Sequence, residues 1–145
     1  MSRPLVFDSI EAVIPDVDRL ISGHTVVGIW SLGAICDHLA KTINLSMDAP
    51  SSDAPATREQ NVIRRLFFRA AVFPEGQEFA NPALAPDPNA DLPTAAAALR
   101  SAVDRLVAYE SRFATHPVLG PMTRDEWLRF HVRHAAHHLS FAIPI

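Results

Sequence analysis

Thr123-Arg-Asp-Glu-Trp-Leu-Arg-Phe-His-Val-Arg-His-Ala-Ala-His-His-Leu-Ser-Phe-Ala142 is the stretch whose reading decides the fold. Thr123-Arg-Asp-Glu126 has the form of a capping box, in which the hydroxyl and the carboxylate satisfy orphan amides at a helix start. At roughly 100° per residue, Trp127, His131, His134, His138 and Phe141 fall within about 40° either side of one line. Arg129, Arg133, Ala136 and Ser140 take the far side. Leu128, Ala135 and Leu139 widen the apolar face. The stretch is therefore expected to be an amphipathic helix to about Ala142, with three histidines on its inward stripe and His137 on a flank. Pro144 stops it.

Helical patterns also fill the chain ahead of it. Thr57-Arg-Glu-Gln60 is another capping box, opening a helix expected to reach Val72, before Pro74. An Ala-rich helix follows from about Thr94 to Thr115, with Leu99, Val103, Leu106 and Val107 inward. Between them, Phe73 to Leu92 carries Pro74, Pro82, Pro86 and Pro88. It is too Pro-rich for a helix and suits a long crossover or a site wall. An earlier helix runs from Ser31 to about Met47 on Leu32, Ile35, Leu39 and Ile43, with Asp37, Lys41 and Asn44 outward. The first helix, from about Ser9 to Ile21, has Asp8 as its N-cap and Ile10, Ile14, Val17 and Ile21 on one face. Pro15 is expected to break or kink it. Ser22 to Gly28 and Asp48 to Ala56 read as loops, and no segment reads as a strand. The expectation is an all-α bundle in one domain, residues 1–145, with a short extra N-terminal helix.

Composition bounds the function. Of 145 residues, 48% are apolar and 20% charged, which is the composition of a folded domain rather than a disordered chain. A formal net charge of −3 with scattered Lys and Arg offers no face for nucleic acid. No apolar run reaches the roughly 18 residues of a membrane span, and the N-terminus lacks the apolar core of a signal peptide. A cytoplasmic protein is expected. The single Cys36 has no internal disulfide partner and reads as a small buried hydrophobe.

Histidine is the anomaly: seven in all, four of them between His131 and His138. Two histidines four apart on a helix stack on one side and can chelate one ion, a spacing that His134 and His138 meet. The motif is common by chance, and no Glu follows His134, so it is not the His-Glu-x-x-His metalloprotease pattern. His38, at the edge of the second helix's apolar stripe beside Thr42 and Leu45, is the natural third ligand. A hydrogen-bonded, partly buried His38 and a polar histidine network in the core are competing readings of equal weight. His131 reads as ligand, support or substrate contact. Trp30 and Trp127 read as core anchors. His24 and His116, in loops, are expected to bond backbone. Asp37 points away from His38 on the helix.

Gly28-Ile-Trp-Ser-Leu-Gly-Ala-Ile-Cys-Asp-His-Leu-Ala40 resembles the first signature of the DinB-like, or YfiT-type, superfamily of metalloenzymes. His134-Ala-Ala-His-His-Leu139 resembles the second. His116-Pro-Val-Leu-Gly-Pro-Met-Thr-Arg-Asp-Glu-Trp127 followed by the histidine run is similar to one branch of it, known only as a domain of unknown function. The resemblance covers about Phe7 to Phe141. It implies a four-helix bundle with a long crossover and a three-histidine site made by His38, His134 and His138, with His131, Trp127 and Thr42 as supporting residues. It implies a divalent ion, zinc or nickel by ligand type. It also implies a small-molecule substrate, a low-molecular-weight thiol in some relatives, for a transferase, isomerase or hydrolase. Those relatives commonly end the last motif in Arg-Gly-Gln, where this chain has Leu139-Ser-Phe141, so no substrate contact carries over there. A homodimer suits so apolar a small bundle, although no interface is readable. The alternatives are a non-catalytic helical module for binding or dimerisation and, less well supported, a metal buffer or sensor.

Overall fold

The computed structural model describes residues 2–70 and 81–145. Among the described residues there are five α-helices: α1 Val13–Ser22, α2 Leu32–Asp48, α3 Arg58–Arg69, α4 Leu92–Ala108 and α5 Arg124–Leu139. Two short strands, β1 His24–Val26 and β2 Ala142–Pro144, pair antiparallel, with Thr25 opposite Ile143. The protein is mostly helical, as the periodicities require. No described helix is long and apolar enough to cross a membrane.

Helix starts follow local chemistry. Ser31 accepts from the Ala34 amide to open α2, and Asp91 accepts from Thr94 to open α4, with Pro93 in its first turn. Both expected capping boxes form: Thr57 with Gln60 on α3 and Thr123 with Glu126 on α5. The first helix differs from expectation. Ile10–Ala12 form a 3-10 turn, and Ser9, not Asp8, sits at its head without a side-chain cap. Pro15 then lies in the first turn of α1, where its missing amide costs little, so the helix continues past it. The shift turns the buried face to Val13, Val17 and Leu20 and leaves Ile21 44% exposed.

Helix ends depart further, because distant side chains take their carbonyls. α4 stops at Ala108 rather than Thr115. There Arg124 donates to the carbonyls of Leu106, Val107 and Tyr109. Val107, expected inward, is 41% exposed. α5 stops at Leu139 rather than Ala142, since Arg3 donates to the carbonyls of Leu139 and Ala142 and its amide to that of Ser140. Arg3 is held by a partly buried ion pair with Asp16. Past Ser140 the chain turns into β2 and pairs with β1, where no strand is expected from sequence, and Pro144 belongs to β2. α3 ends at Arg69 rather than Val72, because Ala70, its C-cap, already has extended backbone, and Phe73 to Ala80 of the long connection lie outside the described residues.

α2 is the central element and packs along α4 and α5. Leu32, Ile35, Leu39 and Ile43 are buried, facing Leu99, Ala102, Val103 and Leu106 of the α4 core stripe. Gly33 permits the approach of the segment ahead of α4: a Cβ there would lie 2.5 Å from the Ala90 carbonyl oxygen. Gly33→Ala is expected to destabilise by about 1–3 kcal/mol through overpacking, less up to about 1 kcal/mol of regained helix propensity. Thermal melting tests this, and an unchanged midpoint would mean that the segment yields freely.

Candidate metal centre

α2 and α5 bring together three of the histidines singled out by the sequence. Their ligand atoms lie within 4.8 Å of one another. His134 Nε2 is 3.1 Å from His38 Nε2 and 3.1 Å from His138 Nε2. His134 and His138 are buried, and His38 is partly so. Thus the i, i+4 pair on α5 and one residue of α2 form a single focus.

The donor chemistry of this focus fits a cation better than protons. His38 Nδ1 is 2.6 Å from the Leu84 carbonyl oxygen, which can only accept. Nδ1 therefore carries the hydrogen, and in the neutral ring Nε2 turns a lone pair inward. His134 Nε2 has two neighbours at 3.1 Å and room for at most one proton. That proton cannot lie on both lines. A cation at the focus would satisfy all three lone pairs together. With metal–nitrogen bonds of about 2.0–2.1 Å, neighbouring nitrogens sit about 3.0–3.4 Å apart, depending on coordination geometry. The short pairs match this range.

Electrostatics keep the rings neutral. Burial drives His134 well below the ordinary histidine value, helped by its neighbours His138 and His38. Burial, then His38 and His137, brings His138 down to about 3. Neutral imidazole is the ligating form, so neither ring must lose a proton at neutral pH to bind a metal.

The segment from Asn81 to Asp91 straps across α2 and fixes this arrangement. Besides the Leu84 contact to His38, Lys41 Nζ donates to the Ala85 carbonyl and the Asp87 amide donates to Asp37. Burial tends to raise the Asp37 carboxyl, but Lys41 and the Asp87 amide outweigh it and hold it below its usual range. Asp37, which the sequence turns away from His38, therefore anchors the wall that orients His38. Asp37→Ala is expected to weaken metal affinity about tenfold, as for other supporting residues. Competition with a chromophoric chelator measures it, and unaltered affinity would separate the strap from the site.

The triad opens into a cavity of about 570 Å³. Trp30, Leu45, Leu84, Pro86 and Phe130 give it apolar walls. A larger groove, about 990 Å³, runs along the N-terminal segment and the outer face of α5, away from the triad. Its four arginines are already committed. Arg3 pairs with Asp16, Arg124 binds the end of α4, Arg133 binds the Phe67 and Phe68 carbonyls, and Arg129 lies over the Phe68 ring.

The supporting residues divide. Thr42 lines the cavity and donates to the His38 carbonyl. Trp127 is buried with its indole N–H on the Ala114 carbonyl, and its ring stacks on His131 at 5.5 Å. His131 is outside the triad: its Nε2 meets Ser46 Oγ at 2.8 Å, and its Nδ1 is buried with no hydrogen-bond partner. Burial brings His131 down to about 3 and His116 to about 4. His116 Nδ1 accepts from the Val118 and Leu119 amides and His24 Nδ1 bonds the Leu20 carbonyl, so both meet the expected backbone partners, although His24 lies in β1 rather than in a loop. Cys36 is buried and its thiol is pushed up to about 12, so it is an inert packing residue.

Trp30 is the residue that the sequence misplaces. It stacks on His138 with ring centroids 5.0 Å apart and 15° between planes, and lies 5.1 Å from His38. It is a wall of the site as well as a partner of the core. It precedes α2 in a segment without periodicity, so only its closeness to Ser31, the cap of the His38 helix, could have signalled this.

No curated protein and no solved structure matches this sequence. A family model matches residues 1–145, the whole chain, and the chain belongs to that family, described as Protein of unknown function (DUF1569).

Proposed function

We propose that this chain is a metal-dependent enzyme of DinB-like type, a four-helix bundle with an added N-terminal helix, acting on a small molecule. His38, His134 and His138 hold one divalent ion through Nε2, with zinc or nickel favoured by the all-imidazole donor set. The observation that carries this is the convergence of three Nε2 atoms, one of them oriented by the Leu84 carbonyl. Three neutral ligands would leave the ion able to take a further ligand, and it would supply Lewis-acid activation of a thiol or a water. Thr42 and the strap hold His38, Trp30 packs on His138, and the apolar walls limit water around the substrate. A low-molecular-weight thiol is the substrate class that the superfamily resemblance suggests.

Metal analysis of protein purified without a histidine tag tests the reading. About one ion per chain is expected. With metal at about 1,000 times its Kd, its removal by a chelator costs about 4 kcal/mol of stability. For a chain of this size that lowers Tm by roughly 10 °C. Metal-free protein whose melting ignores both chelator and added metal would sink it.

A second reading, a helical module with a structural histidine network, draws on His116 and His131. Both are buried and hydrogen-bonded without belonging to the triad. It predicts no stoichiometric metal.

A further inference from the structure

We infer that the cavity above His38, His134 and His138 is built for small organic monoanions: one anionic head carried on an apolar, preferably aromatic, body. This rests on the metal reading above and adds the class of ligand to it.

The head follows from charge. Three neutral imidazoles leave both positive charges of a divalent ion uncompensated, and no Asp or Glu lines the cavity among the described residues. Buried charge without a partner is costly, so the occupant of the remaining position is favoured when it brings a negative charge.

The limit of one charge follows from the walls. No Lys or Arg lines the cavity among the described residues. Lys41, the nearest cation along α2, is turned to Asp37 and the Ala85 carbonyl. A second anionic group, remote from the head, would meet no cation among these walls to offset the water it loses. The hydroxyl hydrogens of Thr42 and Ser46 are also engaged. Thr42 and Ser46 donate to the carbonyls of His38 and Ile43, and Thr115 accepts from the Ser52 amide.

The body follows from shape. Trp30, Leu45, Leu84, Pro86 and Phe130 surround a space of about 570 Å³, well within the range of small-molecule sites. Trp30 and Phe130 are held flat against the ligand-bearing rings, Trp30 on His138 and Phe130 on His134 at 5.6 Å. Planar walls of this kind favour a planar guest.

The test uses the full chain loaded with Co²⁺, after metal content has been measured. Binding is read from the visible spectrum of the cobalt protein and by calorimetry. The probes are benzoate and benzyl mercaptan, set against acetate, terephthalate and cysteine. Benzoate should bind at least tenfold more tightly than acetate, which lacks the body, and than terephthalate, which adds a remote charge. Benzyl mercaptan should likewise exceed cysteine. Binding of benzyl mercaptan but not benzoate, with that preference kept, supports a sulfur head on the same body. Terephthalate or cysteine binding as well as its apolar counterpart, or acetate matching benzoate, would overturn the inference. Leu45→Arg, which sets a cation in the partly exposed wall, should retain metal and gain terephthalate binding at least tenfold. An unchanged preference in that variant would place the ligand elsewhere and overturn it too. Protein without metal would defeat the metal reading and this one together, whereas loaded protein without selectivity would defeat this one alone.

Discussion

His134→Ala is expected to abolish stoichiometric metal, with affinity falling more than 100-fold. Loss of a residue that merely supports a ligand costs about 10–100-fold, so loss of a ligand should exceed that. His134 is the most telling choice because its Nε2 is the atom within 3.1 Å of both other rings. Without it, His38 and His138 remain on separate helices, with no i, i+4 pair to chelate. His134→Gln keeps most of the side-chain volume and guards against simple unfolding of the alanine variant. His137→Ala, on the flank of α5 and outside the triad, should keep its metal. Metal content by elemental analysis, with circular dichroism to confirm folding, decides the matter. Full metal content in both His134 variants would remove the site from consideration.

Acid should destabilise the metal-free protein steeply. His116 and His131 are neutral in the folded state, with values brought by burial to about 4 and about 3, while in the unfolded chain they titrate near 6.5. Below pH 6.5 the unfolded chain therefore binds protons that the folded chain refuses. Stability is present in full above about pH 6.5 and is lost as the pH falls toward 4 for His116 and toward 3 for His131. Each group contributes up to about 1.4 kcal/mol per pH unit, so the two together cost up to about 4 kcal/mol between pH 6.5 and 5. Denaturant titrations across that range measure the slope. His131→Phe should reduce it by one proton's worth. A flat profile would mean that these histidines open to water more cheaply than their burial implies.

How much of this was legible depends on distance along the chain. Thr57 with Gln60, and Thr123 with Glu126, lie three residues apart, and both helix starts were readable. So was the pairing of His134 with His138, which only helical geometry is needed to place together. His38 could be put on the right face of its helix, but its approach to His134 depends on how α2 and α5 pack, so periodicity alone left it beside a bland alternative. Helix ends were the weaker reading. Arg124 reaches back to the end of α4, and Arg3 crosses nearly the whole chain to the end of α5, so neither stop was written in the neighbouring residues. The pairing of β1 with β2 is equally remote in sequence. Ile14 and Ile21 show a different failure. Their spacing is helical, but Val13, Val17 and Leu20 share it, and packing chose the second set.

The contact between His38 and Leu84 makes the centre and the strap one thermodynamic system. If an ordered strap raises metal affinity by holding the His38 tautomer, then metal must favour the ordered strap by the same factor, since coupling free energy is reciprocal. Loading the protein should thus slow deuterium uptake at the Asp87 amide, three residues from Leu84 and bonded to a carboxylate that is no ligand. A guest that pries the strap from α2 as it enters would loosen the ion by the amount it spends on opening, so uptake of substrate and retention of metal become opposing demands on one short stretch of backbone.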